Sequence, residues 1–164
     1  MYDGSIAIFE RAKRDDTVTV IPVLPDGQIL LIEQEQPTLG KFISAPGGRI
    51  DEGEDPLDAA KRELLEETGY TAENWQLLEA NQPVGKVDWA TYTFVAKGLS
   101  KVAEQDLDGG EKVEVMPVSL EKFYELELQL GFVSPYLDRL ILESKIDPLK
   151  KDALLTVLSP SYAN

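Results

Sequence analysis

Gly48 to Tyr70, GRIDEGEDPLDAAKRELLEETGY, constrains this chain more than any other stretch. It predicts a loop that runs into a helix. Asp55 can accept from the first free backbone N–H groups, and Pro56 then falls at the first helical position, where its missing N–H costs nothing. Asp58 adds negative charge to the first turn, where the helix dipole favours it. Leu57, Ala60, Leu64 and Leu65 recur at helical spacing and predict one apolar face. Gly69 supplies the stop, because glycine takes the left-handed conformation without steric cost. Glu63, Glu66 and Glu67 are left on the remaining surface as neighbours three and four residues apart. Like charges so placed repel on a bare helix. A hard divalent cation would turn the repulsion into a site, since Mg²⁺ takes one or two carboxylates plus waters and substrate phosphates. The plainer alternative is a solvated acidic face.

The composition narrows the chemistry. The chain has 164 residues, 43% of them hydrophobic and 28% charged, as in an ordinary globular protein, and is read as one domain over 1–164. The net charge of −14 argues against a nucleic-acid polymer or an anionic membrane as partner, since both need basic patches. It leaves room for a nucleotide whose phosphates are met by a cation. There is no cysteine and no histidine. A disulfide framework, a thiol nucleophile, a Ser-His-Asp triad and a Cys/His zinc site are therefore excluded. Acid–base work falls to carboxylates, lysine, tyrosine or metal-bound water. The first residues lack a signal peptide's apolar run, and no apolar stretch approaches a membrane span, so a cytoplasmic protein is expected.

Along the chain, strands are predicted at 17–24, 28–33, 41–44, 75–80, 89–96 and 113–118. Pro25-Asp26-Gly27 is the turn of a hairpin. Helices are predicted from Ser119 to a stop at Gly131, from Ser134-Pro135 to about Lys145, and over about 148–158. Strands on both sides of a central helix, with helices at the end, predict an α/β (α+β) sandwich with a mixed sheet.

The stretch 48–70 resembles the Nudix box, the signature of the Nudix hydrolases. The matching positions are Gly48, Glu54, Arg62, Glu63, Leu64, Glu66, Glu67 and Gly69, with Tyr70 an aromatic where an aliphatic is commoner. Flanking segments are similar to the ADP-ribose and nucleoside-diphosphate-sugar pyrophosphatases: Ile32 to Pro37, Ile43 to Gly48, and Val113 to Phe123. The resemblance implies a Nudix-type α/β/α sandwich with the box helix packed on a mixed sheet. It implies metal-dependent hydrolysis of the diphosphate in a nucleoside diphosphate linked to another group. The alternatives are a hydrolase of (d)NTPs or dinucleoside polyphosphates, or a nucleotide-binding module without turnover.

By the same resemblance, Glu63 and Glu67 are the principal ligands of Mg²⁺, with Mn²⁺ as substitute. Glu66 is a third or water-mediated ligand, and Gly47 offers a backbone carbonyl. Arg62 orients the glutamates, while Glu54, Gly48 and Gly69 shape loop and helix. Glu111 fits the place of a loop glutamate that serves as base, and Glu114 comes second. Gln36 stands where the branch often has a phosphate-contacting arginine, and Ser44 replaces a usual glutamate. For substrate binding, Gly48 allows close backbone approach, Trp89, Tyr92 and Phe42 could stack on a base, and Lys86 could meet phosphate. The partner is a small nucleotide. A homodimer stays open, because the branch's N-terminal strands, often exchanged between subunits, precede the start of this chain.

Overall fold

A computed structural model describes residues 6, 8–36, 40–107, 112–126 and 132–160. The strands are β1 (Ala12–Lys13), β2 (Thr17–Pro22), β3 (Ile29–Gln36), β4 (Gly40–Ser44), β5 (Tyr70–Asn81), β6 (Val87–Asp88), β7 (Thr91–Lys101) and β8 (Lys112–Val118). The helices are α1 (Pro56–Thr68), α2 (Leu120–Leu126), α3 (Pro135–Ile146) and α4 (Pro148–Leu158). The mixed sheet is β2-β7-β5, with β2 parallel and β5 antiparallel to β7. An antiparallel sheet, β4-β3-β8, lies beside it, and β1 pairs with β6 as a small parallel ribbon.

The helices cover the sheets from two sides, which makes the expected α/β/α layering. Ala59, Ala60 and Leu64 of α1 pack on Val18 and Val20 of β2 and on Phe94, Ala96 and Leu99 of β7. Phe123 and Leu126, Leu137 and Ile141, and Leu154 and Leu158 bring α2, α3 and α4 onto Ile21, Ile29, Leu31, Val95 and Val118. Each large apolar side chain buried this fully contributes about 1.5–3 kcal/mol. The two clusters together clamp β2 and β7, the strands that carry the box loop and α1.

Differences from the predicted elements have local causes. Strand β5 begins at Tyr70, directly after the Gly69 cap, rather than at Trp75. Its first residues, Tyr-Thr-Ala-Glu-Asn, carry no run of buried apolar side chains, because β5 is the edge of its sheet. Strand β7 starts at Thr91 and runs on to Lys101, and β3 continues to Gln36 into what was expected to be loop. Ser119 accepts from the Lys122 N–H as a cap should, at 3.1 Å. Ser134 precedes α3 but makes no side-chain capping bond. The expected stop at Gly131 lies outside the described residues. Among the described residues, no helix is long and apolar enough to cross a membrane.

Candidate active site

The site is built where the box loop threads between β2 and α1. Val20 N–H donates to the Pro46 carbonyl at 2.8 Å and Val18 N–H to the Gly48 carbonyl at 2.9 Å, so the loop runs beside β2. Gly47 N–H instead donates to Glu67 Oε2 at 2.7 Å. Gly47 has φ +151°, and a Cβ there would overlap the Val18 carbonyl oxygen. A Cβ on Gly48 would fall within the Glu63 carboxylate. The two glycines thus let two helix glutamates reach the loop backbone, Glu67 at Gly47 and Glu63 at Gly48.

Helix α1 presents those side chains in a fixed register. Asp55 Oδ1 accepts from Leu57 N–H at 2.9 Å, and Pro56 opens the helix. Gly69 closes it with φ +75° and donates its N–H to the Leu65 carbonyl at 2.8 Å. Glu67 is only 8% exposed, on the border between the packed face and the cleft.

Arg62 ties the acidic residues together. Its Nε and Nη2 donate to the two oxygens of Glu54, each at 3.0 Å, and Nη2 also donates to the Arg49 carbonyl at 2.9 Å. Its Nη1 donates to Glu63 Oε1 at 2.9 Å and to Glu66 Oε2 at 3.0 Å. The planar guanidinium fork suits such a set, which a point charge would not satisfy. The Glu54 bonds, with Glu63 and Glu66, hold the Arg62 pKa well above its ordinary value. Glu54 is pulled below the usual carboxylate range, first by its bonds to Arg62 and then by the Asp51 N–H, which donates to it at 3.0 Å.

A pH dependence follows from that depression. As pH falls, the unfolded chain binds the Glu54 proton before the folded chain does. The stabilising contribution is whole above the ordinary value of 4.5 and is lost as pH drops through the lower folded value. Urea midpoints measured downward from neutral pH should fall less steeply below about pH 4.5 in Glu54→Gln than in the wild type. Equal acid limbs in the two proteins would show that Glu54 is not linked to folding.

These groups line a cleft of about 1210 Å³. Glu63, Glu66, Glu67 and Asp106 line it together with the box-loop acids Asp51, Glu52 and Glu54, and Gln34, Gln36, Phe42 and Ser44 line it from β3 and β4. Lys13, Arg14 and Arg49 bring positive charge, alongside Asp15, Asp16 and Asp88. Gln36 and Gly48 are therefore in the cleft. Lys86 is not: it lines a separate depression with Ile8, Phe9 and Arg11. Trp89 does not line the cleft either. Its Nε1 donates to Thr17 Oγ1 at 3.2 Å, and the Arg14 guanidinium covers its ring at 4.3 Å. Tyr92 packs against the α1 cluster. Glu114 is exposed on β8 opposite Glu33. Glu111 lies outside the described residues.

Sequence reasoning passed over Asp106, Gln105, Lys13, Arg14 and Arg49. Gln105 Nε2 donates to the Glu67 carbonyl at 2.5 Å and to the Val113 carbonyl at 3.2 Å. Asp106 N–H donates to the Glu66 carbonyl at 2.9 Å. The segment that follows β7 is thereby tied to the end of α1, which brings Asp106 to the cleft. The sequence holds three acids close together here, Glu104, Asp106 and Asp108, and no spacing rule singles out Asp106 among them.

The donor set of the acidic part is hard oxygen alone, which suits Mg²⁺ or Mn²⁺. Among the described residues, no three acidic side chains converge tightly enough to form a closed cage. Glu63 and Glu66 are turned to Arg62, and Glu67 faces Gly47 N–H. An ion completed by waters and substrate phosphates fits this arrangement, because Mg²⁺ seldom uses an all-protein cage.

Comparison with known proteins adds independent findings. A model of the NUDIX domain matches residues 13–138. An ADP-ribose pyrophosphatase of Bacillus subtilis (strain 168) is 36% identical over 128 residues, covering 76% of this chain and 69% of that protein. A methanol dehydrogenase activator of Bacillus methanolicus is 35% identical over 124 residues, covering 73% of this chain and 66% of that protein. The chain thus spans about two thirds of the length of these relatives. Among solved structures, the crystal structure of an ADP compounds hydrolase superposes with a TM-score of 0.73 at 20% identity, covering 97% of this chain and 83% of that one. At that identity the likeness speaks to the fold.

Proposed function

The chain belongs to the Nudix hydrolase family, and from that premise we propose that it cleaves the diphosphate of ADP-ribose or a related nucleoside diphosphate sugar, using Mg²⁺ with Mn²⁺ as substitute. The observation that carries the reading is the meeting of Glu63 and Glu67 with the Gly47-Gly48 backbone inside a large cleft. The B. subtilis relative's name supports the substrate class.

Nudix hydrolases generally need a divalent metal, which when bound offsets diphosphate charge and lowers the pKa of a coordinated water. Glu63 and Glu67 would hold it, with Glu66 as third ligand and the Gly47 carbonyl beside them. Arg62 keeps Glu63 and Glu66 from spreading apart. Water adds to one phosphorus, the bridging P–O bond breaks, and the departing phosphate oxygen keeps the electron pair. The water's proton passes to a carboxylate. Asp106 is the cleft-lining acid of the loop, and Glu111 follows it by five residues in the same segment.

The test is product analysis with Mg²⁺ and with Mn²⁺ on ADP-ribose, UDP- and GDP-sugars, (d)NTPs and diadenosine polyphosphates. The expected result is metal-dependent release of AMP and ribose 5-phosphate from ADP-ribose, or of the matching pair from a nucleotide sugar. Cleavage confined to (d)NTPs would discard the substrate while keeping the chemistry. Binding without cleavage across the panel would overturn the catalytic reading.

A further inference from the structure

Strand β3 sorts its polar residues by charge. Glu33 and Glu35 lie on one face, where Glu33 accepts from Lys41 at 3.0 Å and Glu35 pairs with Lys112 at 3.3 Å. Gln34 and Gln36 lie on the other face, which lines the cleft. In the β3–β4 register Gln34 stands opposite Phe42 and Ile32 opposite Ser44, so Phe42 and Ser44 share the amides' face. The side chains are joined: Gln36 Nε2 donates to Gln34 Oε1 at 3.2 Å, and Gln34 Nε2 donates to Ser44 Oγ at 2.8 Å. The cations that line the cleft come from β1, the segment after it, the box loop and α1, and none from β3 or β4.

This directed relay fixes what its ends can offer. Gln34 has its amide engaged at both ends and positions its neighbours. Gln36 keeps its carbonyl oxygen and one N–H, and Ser44, whose Oγ accepts from Gln34, keeps a hydroxyl proton to donate. The wall is thus an uncharged set of donors and acceptors beside a buried ring, Phe42 being 7% exposed. Hydroxyl groups match it on both counts. An anion brought there would lose hydration with no cation on the wall to replace it. A site built to hydrogen-bond hydroxyls also penalises ligands that leave its polar groups unmet.

We propose that Gln36 and Ser44, set by Gln34, select an uncharged, hydroxylated end group on the diphosphate substrate, and disfavour one that carries an anion. The inference rests on the diphosphate-hydrolase reading for where the ligand lies.

The experiment uses the full chain with Mg²⁺ and two methylene-bridged, non-hydrolysable ligands: the analogue of ADP-ribose, and the same compound with a phosphate on its terminal ribose. Calorimetry on the wild type should show the neutral ligand bound about tenfold more tightly, the scale separating a matched from an unmet set of hydrogen bonds. Gln36→Arg should remove or invert that ratio, and Gln34→Leu should weaken the neutral ligand several-fold. Gln36→Lys stands in if thermal melting shows the arginine variant unfolded. Equal wild-type affinities, a ratio unmoved by the new cation, or no binding of either ligand would overturn the proposal. Turnover of unmodified ADP-ribose is followed in parallel. Its absence with the binding ratio intact would overturn the hydrolase reading alone.

Discussion

Glu67→Gln is expected to lower turnover by about 10²–10³-fold, the loss typical when one preorganised electrostatic group is removed from a reaction centre. The substitution is nearly isosteric, and the side-chain amide oxygen can still accept the Gly47 N–H that Glu67 Oε2 accepts at 2.7 Å. The main-chain carbonyl that holds Gln105 is untouched. Loop, helix end and acidic segment therefore stay joined, and the melting temperature should move little. What disappears is a full negative charge at a position only 8% exposed, where water screens it poorly. Turnover at saturating metal and substrate, read beside a thermal melt, checks both halves. Full activity in a folded variant would make Glu67 a strap between α1 and Gly47, with no part in the chemistry.

Much of the box is legible in the sequence, because it is governed by local rules. The Asp55 cap, the Pro56 start and the Gly69 stop each follow from one residue's own conformational preference, and each stands where expected. The apolar face was less exact. Ala59 is buried with Ala60 and Leu64, while Leu65 is only partly so, since the surface of β2 and β7 decides which side of the helix is covered. Strand ends were misjudged where pairing, not hydrophobicity, sustains the strand. Tyr70 is in β5 because Lys101 lies opposite it, and Gln36 is in β3 because Gly40 does. Neither residue's own sequence neighbourhood carries that information. The same limit applies to the cleft. Glu63, Glu66 and Glu67 share one helix, so their spacing shows that they are neighbours. The Gln36–Gln34–Ser44 relay spans two strands, and Arg14 meets Trp89 across the chain; only the fold places them together. Trp89 and Lys86 had the right chemistry for a nucleotide, yet lie beside or away from the cleft, since side-chain type says nothing of direction.

Arg62→Ala should be the most damaging change to the site's framework, and Arg62→Lys should rescue it poorly. The guanidinium makes five hydrogen bonds, to Glu54 twice, the Arg49 carbonyl, Glu63 and Glu66. Its removal leaves three carboxylates without the cation they share. For fully buried pairs such a deletion costs about 3–5 kcal/mol, and for exposed ones about 0–1 kcal/mol. Arg62 is 29% exposed and Glu63 and Glu54 less so, while Glu66 is 40% exposed, which places the expected loss at about 2 kcal/mol. For a chain of this size that is a fall of about 4–8 °C in melting temperature. Lysine restores the charge but cannot reach Glu54 with two parallel bonds while serving Glu63 and Glu66. Turnover should fall by about 10–100-fold in both variants, as when the partner that orients a metal ligand is lost. A purely structural arginine would lower only the melting temperature. A positioning one should also raise the metal concentration needed for half-maximal activity, because Glu63 and Glu66 must then be gathered at the expense of metal binding. If stability falls and the metal dependence does not move, Arg62 holds the loop to the helix and no more.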